Sequence, residues 1–284
     1  MGKATEKWQA IRLHPHSSSA RTEEIVVEEP LEIRLTFGTP PRRLTHRVAV
    51  TMRTPGSDEL LALGFLFSEG IIDDYAQVTQ VRRGLARQHA ENVIEVALTP
   101  ETQFDLQRLS RNFYTTSSCG ICGKGSIEAI ELARPCIIPH TAFLFARQLV
   151  CTLPEKLGAQ QTLFRTTGGL HAAALFDAQG QIVATFEDVG RHNALDKLIG
   201  WAWKQQLLPL HHYGLLLSGR LGFELAQKAA MAGIPFIAAI GAPTSLALQL
   251  AEEVGITTIA FLRPHACNCY THPHRLIRTN SPSA

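Results

Sequence analysis

Residues 214–262 read GLLLSGRLGFELAQKAAMAGIPFIAAIGAPTSLALQLAEEVGITTIAFL, and their pattern decides the fold. Three short apolar runs, Gly214–Ser218, Pro235–Ile240 and Thr257–Leu262, have strand length and no polar alternation, as strands buried on both faces do. Between them lie two stretches of helical length, Phe223–Met231 and Ser245–Val254. Strand, helix, strand, helix, strand in this order implies parallel strands with the helices as crossovers. Ala229–Ala251 carries no charge and is long enough to suggest a membrane span. Gly233, Pro235, Gly241 and Pro243 divide it into helix end, strand, turn and new helix. A soluble, cytoplasmic α/β protein is expected, with no membrane partner.

Working outward, Leu170–Phe176 and Ile182–Phe186 read as strands joined by Asp177-Ala178-Gln179-Gly180, a hairpin signal, and a helix is expected from Asn193 to Gln205. Further upstream the pattern changes. Leu31–Leu35 alternates with period two, and Val48–Met52 is β-rich. Ser57 is placed to cap a helix over Asp58–Ser68 that Gly70 stops, and Val78–Arg82 and Val93–Leu98 are further strands. This half reads as a smaller α+β unit. The expected organisation is a disordered tail (1–23), an N-terminal α+β domain (24–138), an α/β domain (139–276) and a flexible end (277–284).

The 284 residues are 45% hydrophobic and 18% charged, enough to bury a core without disulfides or structural metal. The formal charge of +2 leaves no electrostatic footprint for nucleic acid or an anionic membrane. The N-terminus lacks the apolar core of a signal peptide, so the six cysteines do not suggest a disulfide framework. Cys136 and Cys151 stand in apolar surroundings and read as small core hydrophobes.

Four constellations could carry chemistry. The first is Cys119-Gly120-Ile121-Cys122, followed by Gly123-Lys124-Gly125. A free thiol has a pKa of ~8.5, falling to roughly 3.5–7.5 beside a cation or at a helix N-terminus. Lys124 is such a cation, and the glycines keep the segment pliable. A structural zinc site needs four ligands, and the other close cysteine pair is far off at Cys267 and Cys269. A thioredoxin-like pair opens a helix after a strand, a context missing here. A sulfur-relay thiol fits an exposed loop, but residue types alone do not choose among the three. The second constellation is the set of turns at the strand ends: Ser218-Gly219-Arg220, Gly241–Ser245 and Arg263. Open α/β sheets bind ligands at this edge, and arginines there can fork onto phosphate; the alternative is ordinary tight connections. The third is Glu187–Lys197, where Asp188 or Asn193 could cap a helix and Arg191 and His192 could face an anion. His171 belongs either to that pocket or to its strand. The fourth is His265–His274, dense in ligand types but without a common metal spacing, so no metal is assigned.

These motifs together resemble the formate dehydrogenase accessory sulfurtransferase family (FdhD). The resemblance runs from about Glu29 to Arg275, through Glu29–Arg34, Met52–Gly56, Leu63–Ile72, the Cys119/Cys122 loop, Thr167–His171, Glu187–Lys197 and Ser218–Arg220. It implies a sulfurtransferase that takes persulfide sulfur from a cysteine desulfurase. The sulfur passes to the molybdenum cofactor, Mo-bis-molybdopterin guanine dinucleotide, for formate dehydrogenase. It implies Cys119 as persulfide carrier and Cys122 as its assistant. Phe261, Leu262, Arg263, Pro264, His265 and Ala266 map onto the family's cofactor segment, although Pro264, His265 and Ala266 stand where glycine and a basic residue are expected. With Ser218, Gly219, Arg220, Arg191, His192 and His171 they make the expected cofactor-binding set. A cytidine deaminase-like three-layer α/β/α domain and a homodimer are also implied. Zinc deamination is not, because the His-x-Glu and Pro-Cys-x-x-Cys ligands are absent. The rival readings are a cofactor chaperone without sulfur chemistry and a thiol oxidoreductase.

Overall fold

The computed structural model describes residues 3–84, 90–102, 136 and 138–278. The expected disordered tail is instead a hairpin. Strand β1 (Thr5–His14) pairs antiparallel with β2 (Ser17–Val26) across a two-residue turn, Pro15–His16. The tight turn lets every residue of one strand face a partner, so backbone pairing orders a composition too polar to build a core. Trp8, Ile11 and Leu13 stay exposed on it.

Strands β3 (Glu29–Phe37), β4 (Leu44–Arg53), β5 (Val78–Arg83) and β6 (Val93–Leu98) form a sheet in the order β4-β3-β6-β5. Leu31, Ile33 and Leu35 alternate onto one face, where helix α1 (Asp58–Ser68) covers them with Leu61 and Leu66. The helix has the expected bounds, but Ser57 does not cap it with its side chain. Ser57 sits in the left-handed region at φ 56°, and Asp58 and Glu59 supply negative charge to the first turn instead. Gly70, at φ 67°, ends the turn that follows.

The second unit begins with β7 (Phe145–Ala146) and three short helices, α2 (Arg147–Val150), α3 (Leu153–Gln160) and α4 (Thr162–Thr167). Then come β8 (His171–Phe176), β9 (Ile182–Asp188), α5 (Arg191–Lys204), β10 (Gly214–Leu217), α6 (Phe223–Met231), β11 (Phe236–Ala239), α7 (Ser245–Val254) and β12 (Thr257–Ala260). The chain closes with β13 (Asn268–Thr271) and β14 (Leu276–Ile277), which pairs with β7. The large sheet has the order β13-β12-β11-β10-β8-β9. Strands β10, β11 and β12 are parallel, as their crossovers require, and the outer strands are antiparallel. Leu215, Leu217 and Ile237 face α5, α6 and α7; Leu216, Phe236 and Ile259 face Phe143, Phe145 and the α2–α3 segment. The result is a mixed α/β architecture. The His265–His274 segment supplies the edge strand β13, exposed at three of its four residues. Among the described residues no helix is long and apolar enough to cross a membrane.

Helices α1 and α5 join the two units by backbone contact. A Cβ on Gly64 would overlap Asp196 O and lie 2.6 Å from Asp196 C; one on Gly200 would overlap Leu60 O and lie 2.8 Å from Gly64 N. Trp203, from α5, is buried in the core of the smaller sheet. Two buried polar clamps flank the crossing. In the first, Lys228 on α6 donates to Ser68 Oγ at 2.7 Å and pairs with Glu69 and Asp196, both at 2.9 Å, while Ser68 donates to Asp196 at 2.8 Å. Burial works against the Lys228 charge, but Asp196 and Glu69 outweigh it and hold its pKa above the usual lysine value. In the second, Lys197 pairs with Asp188 at 2.6 Å and donates to Thr54 O at 3.0 Å.

Candidate functional site

Cys119 and Cys122 lie outside the described residues. The other expected site residues fall on one rim, at the ends of β8, β10, β11 and β12. Its connections are locked to one another. Gly241 N donates to Gly219 O at 2.9 Å, Leu221 N to Ala242 O at 3.0 Å, and Thr244 N to Leu221 O at 3.0 Å. A Cβ at Gly241 would lie 2.7 Å from Gly219 backbone, so only glycine permits this approach. The third connection joins through Phe261 N to Gly241 O at 3.1 Å.

His171 opens β8 opposite Asp188, and its ring lies over Gly219, where a Cβ would come within 3.2 Å of Nδ1. Burial first, then the Arg191 and His192 charges, lowers its pKa below the ordinary histidine value, with Asp188 opposing. A neutral imidazole at pH 7 follows, a hydrogen-bonding group rather than a counter-charge. Arg191 and His192 start α5 after Gly190, which offers no side-chain cap; α6 likewise starts after Gly222 without one. The Arg191 Nε and His192 Nε2 atoms are buried with no hydrogen-bond partner. His192 Nε2 stands 3.9 Å from Glu224 Oε2, and this neighbour is the main influence lowering the Glu224 pKa below the ordinary carboxylate value, against burial. A buried Arg191 Nε donor without a partner, at the start of a helix whose N-cap Gly190 has no side chain, suits an anion, while the Glu224 carboxylate caps the first turn of α6.

Asp188 and Asn193 do not cap α5 in the manner the sequence suggested. Asp188 accepts from Gly190 N at 2.8 Å, Asn193 Nδ2 at 3.1 Å and Thr54 N at 3.2 Å, while Asn193 also donates to Met52 O at 2.7 Å. This part of Glu187–Lys197 therefore grips β4 and holds the α5 N-terminus in place. Glu187 accepts from Leu163 N and Phe164 N, at 3.0 and 2.8 Å, and caps α4.

Ser218 and Gly219 are half-buried, and Ser218 Oγ accepts from Ala172 N at 2.8 Å; Arg220 is exposed. The expected cofactor segment divides. Phe261, at φ 50°, is exposed on the rim, but Leu262 is buried in the core and can offer a ligand only its backbone. Arg263 Nη1 donates to Ile240 O at 2.7 Å and Leu262 O at 2.8 Å, so this guanidinium partly braces the rim. Pro264, His265 and Ala266 form an exposed turn closed by Arg263 N to Ala266 O at 2.8 Å. Cys136 and Cys151, read as core, are only half-buried. Glu224, in the first turn of α6 and four residues after Arg220, was missed; its signal is its place two residues beyond Gly222.

Fold and rim together define a class: a mixed α/β protein whose interlocked strand-end turns present backbone and arginine donors. Residues 26–277 match the sequence profile of the FdhD/NarQ family. The chain is 45% identical to the sulfur carrier protein FdhD of Streptomyces avermitilis, over 97% of both chains. It is 47% identical to that of Mycolicibacterium paratuberculosis, over 96% of this chain and 99% of the relative. A crystal structure from Desulfotalea psychrophila, of a protein assigned as a formate dehydrogenase accessory protein, superposes with a TM-score of 0.74. It has 23% identity and covers 97% of this chain and 100% of its own. The chain belongs to the FdhD/NarQ family.

Proposed function

We propose that this protein is a sulfur carrier in the maturation of formate dehydrogenase. The observation that carries the reading is full-length similarity to curated sulfur carriers in a chain holding the Cys119-x-x-Cys122 pair. The Cys119 thiolate attacks the outer sulfur of a cysteine desulfurase persulfide, the desulfurase thiolate leaves, and Cys119 holds the persulfide. Cys122 assists by resolving the intermediate as a disulfide or holding a second sulfur. The acceptor is the molybdenum cofactor, Mo-bis-molybdopterin guanine dinucleotide, bound as cargo on the rim.

The partnerless Arg191 Nε donor, the N-terminus of α5 without a side-chain cap, and exposed Arg220 support an anionic, phosphate-bearing cargo there. We also read the large sheet and its helices as cytidine deaminase-like, and the protein as a cytoplasmic homodimer.

Mass spectrometry after incubation with desulfurase and cysteine tests the relay. The Cys119 peptide is expected to gain one sulfur, and Cys119→Ser to abolish formate dehydrogenase activity. An unmodified Cys119 under desulfurase turnover would sink the relay. Full support of formate dehydrogenase by Cys119→Ser would leave a chaperone in its place.

A further inference from the structure

The β1–β2 hairpin has no core of its own. It is a separate two-stranded sheet, exposed along both faces. Successive residues alternate between those faces, so Trp8 and Ala10 stand on one with Ile25, and Ile11 and Leu13 stand on the other with Ala20. Trp8, Ile11 and Leu13 are 61%, 69% and 78% exposed. A hairpin lying flat on its own body would bury one such face but not both. This one meets the body at its base, where Val26 packs beside Gly169 and β2 runs past α4. Strand β2 is therefore on the body side, and the outer edge of β1 is unpaired among the described residues. Isolated two-stranded hairpins are marginal in water, and exposed edge strands are ordinarily blunted by proline, bulges or short length. Strand β1 is ten residues long, has no proline, and pairs with β2 without a register shift. Such an edge is a template for another strand.

We propose that two copies of this chain join through β1, antiparallel about a two-fold axis at Gln9, as a four-stranded ribbon β2-β1-β1-β2. The proposal rests on the homodimer reading above and names its surface. The sequence of β1 is self-complementary in this register. Glu6 falls opposite the partner's Arg12, and Arg12 opposite the partner's Glu6. Trp8 packs on the partner's Ala10, bulk against a small residue, and the stem of Lys7 lies along the partner's Ile11. The two-fold axis makes each of these pairs twice. A shift of one residue toward the turn would set Lys7 against the partner's Arg12 instead, and like charges directly opposite destabilise. Strand β2 is the poorer edge, because it lies toward α4 and carries Ser17, Ser18 and Ser19 where β1 carries His14, Leu13 and Arg12. Pairing satisfies the outward main-chain groups of both β1 strands and withdraws both copies of Trp8 from water.

The test combines sedimentation velocity and cysteine cross-linking of the full-length protein. The parent is expected as a dimer. Arg12→Glu places two carboxylate pairs across the axis and should weaken the dimer about tenfold, and Glu6→Arg combined with Arg12→Glu should restore it. Opposed Cα atoms in an antiparallel ladder lie about 4.5–5.5 Å apart, within disulfide reach, so Gln9→Cys should cross-link through residue 9 under diamide. Thr22→Cys, three strand spacings (roughly 14 Å) from its symmetry mate, should not. A monomeric parent removes the homodimer reading and the proposal with it. A dimeric parent keeps the homodimer but overturns the β1 edge in any of three cases: Arg12→Glu dimerises as tightly as the parent, the charge swap restores nothing, or the link forms through residue 22 rather than residue 9.

Discussion

Replacing Gly200 by alanine tests the junction that joins the two units. The added methyl would overlap Leu60 O and lie 2.8 Å from Gly64 N, and both are backbone atoms that no rotamer change can move. Restoring ordinary carbon contact requires α1 and α5 to separate by on the order of 1 Å. The 2.8 Å Ser68–Asp196 hydrogen bond, which spans the same two helices, cannot survive that shift. Overpacking costs about 1–3 kcal/mol and a lost buried hydrogen bond about 1 kcal/mol more, giving about 3 kcal/mol. At about 2–4 °C per kcal/mol, Tm should fall by at least about 6 °C in calorimetry or circular dichroism. A variant melting within about 2 °C of the parent would refute the backbone-contact argument.

Lys228→Met leaves Asp196 and Glu69 without their cation, and urea unfolding should register a loss of about 3–5 kcal/mol. Glu95 has a lowered pKa: burial opposes its charge, but Thr36, Arg82 and Arg34 outweigh it. Its contribution is therefore present above the ordinary carboxylate pKa of about 4.3 and lost as pH falls through the lower folded value. Glu95→Gln should flatten the Tm-against-pH curve in that acid window and leave its slope unchanged near neutrality. Amides of β1 and β2 should exchange faster than those of β10 and β11, measured by mass spectrometry, because the hairpin's side chains are mostly exposed.

Helices α6 and α7 have the bounds their sequences suggested because glycine and proline punctuate the apolar runs on both sides, a purely local signal. The parallel order of β10, β11 and β12 followed from the same grammar. The β1–β2 hairpin was not legible, since Ser17–Ser19 and the charged residues carry no apolar period; its order comes from register across a Pro15–His16 turn. Ser57 was identified as the helix boundary for the wrong reason, because left-handed backbone leaves no side-chain trace. At the site, the turns and their arginines could be found from strand ends alone. The bracing of Arg263 by Ile240 O and the burial of Leu262 depend on tertiary approach between segments apart in sequence.

The glycine crossing of α1 and α5 has a consequence for cooperativity. Helix α1 arises in the first unit, yet its backbone packs on α5 of the second, and Trp203 returns to fill the core of the first sheet. Neither core is closed without residues borrowed from the other. Heat or urea should therefore melt both sheets in one transition. A chain cut between them would yield two fragments, each missing part of its interior.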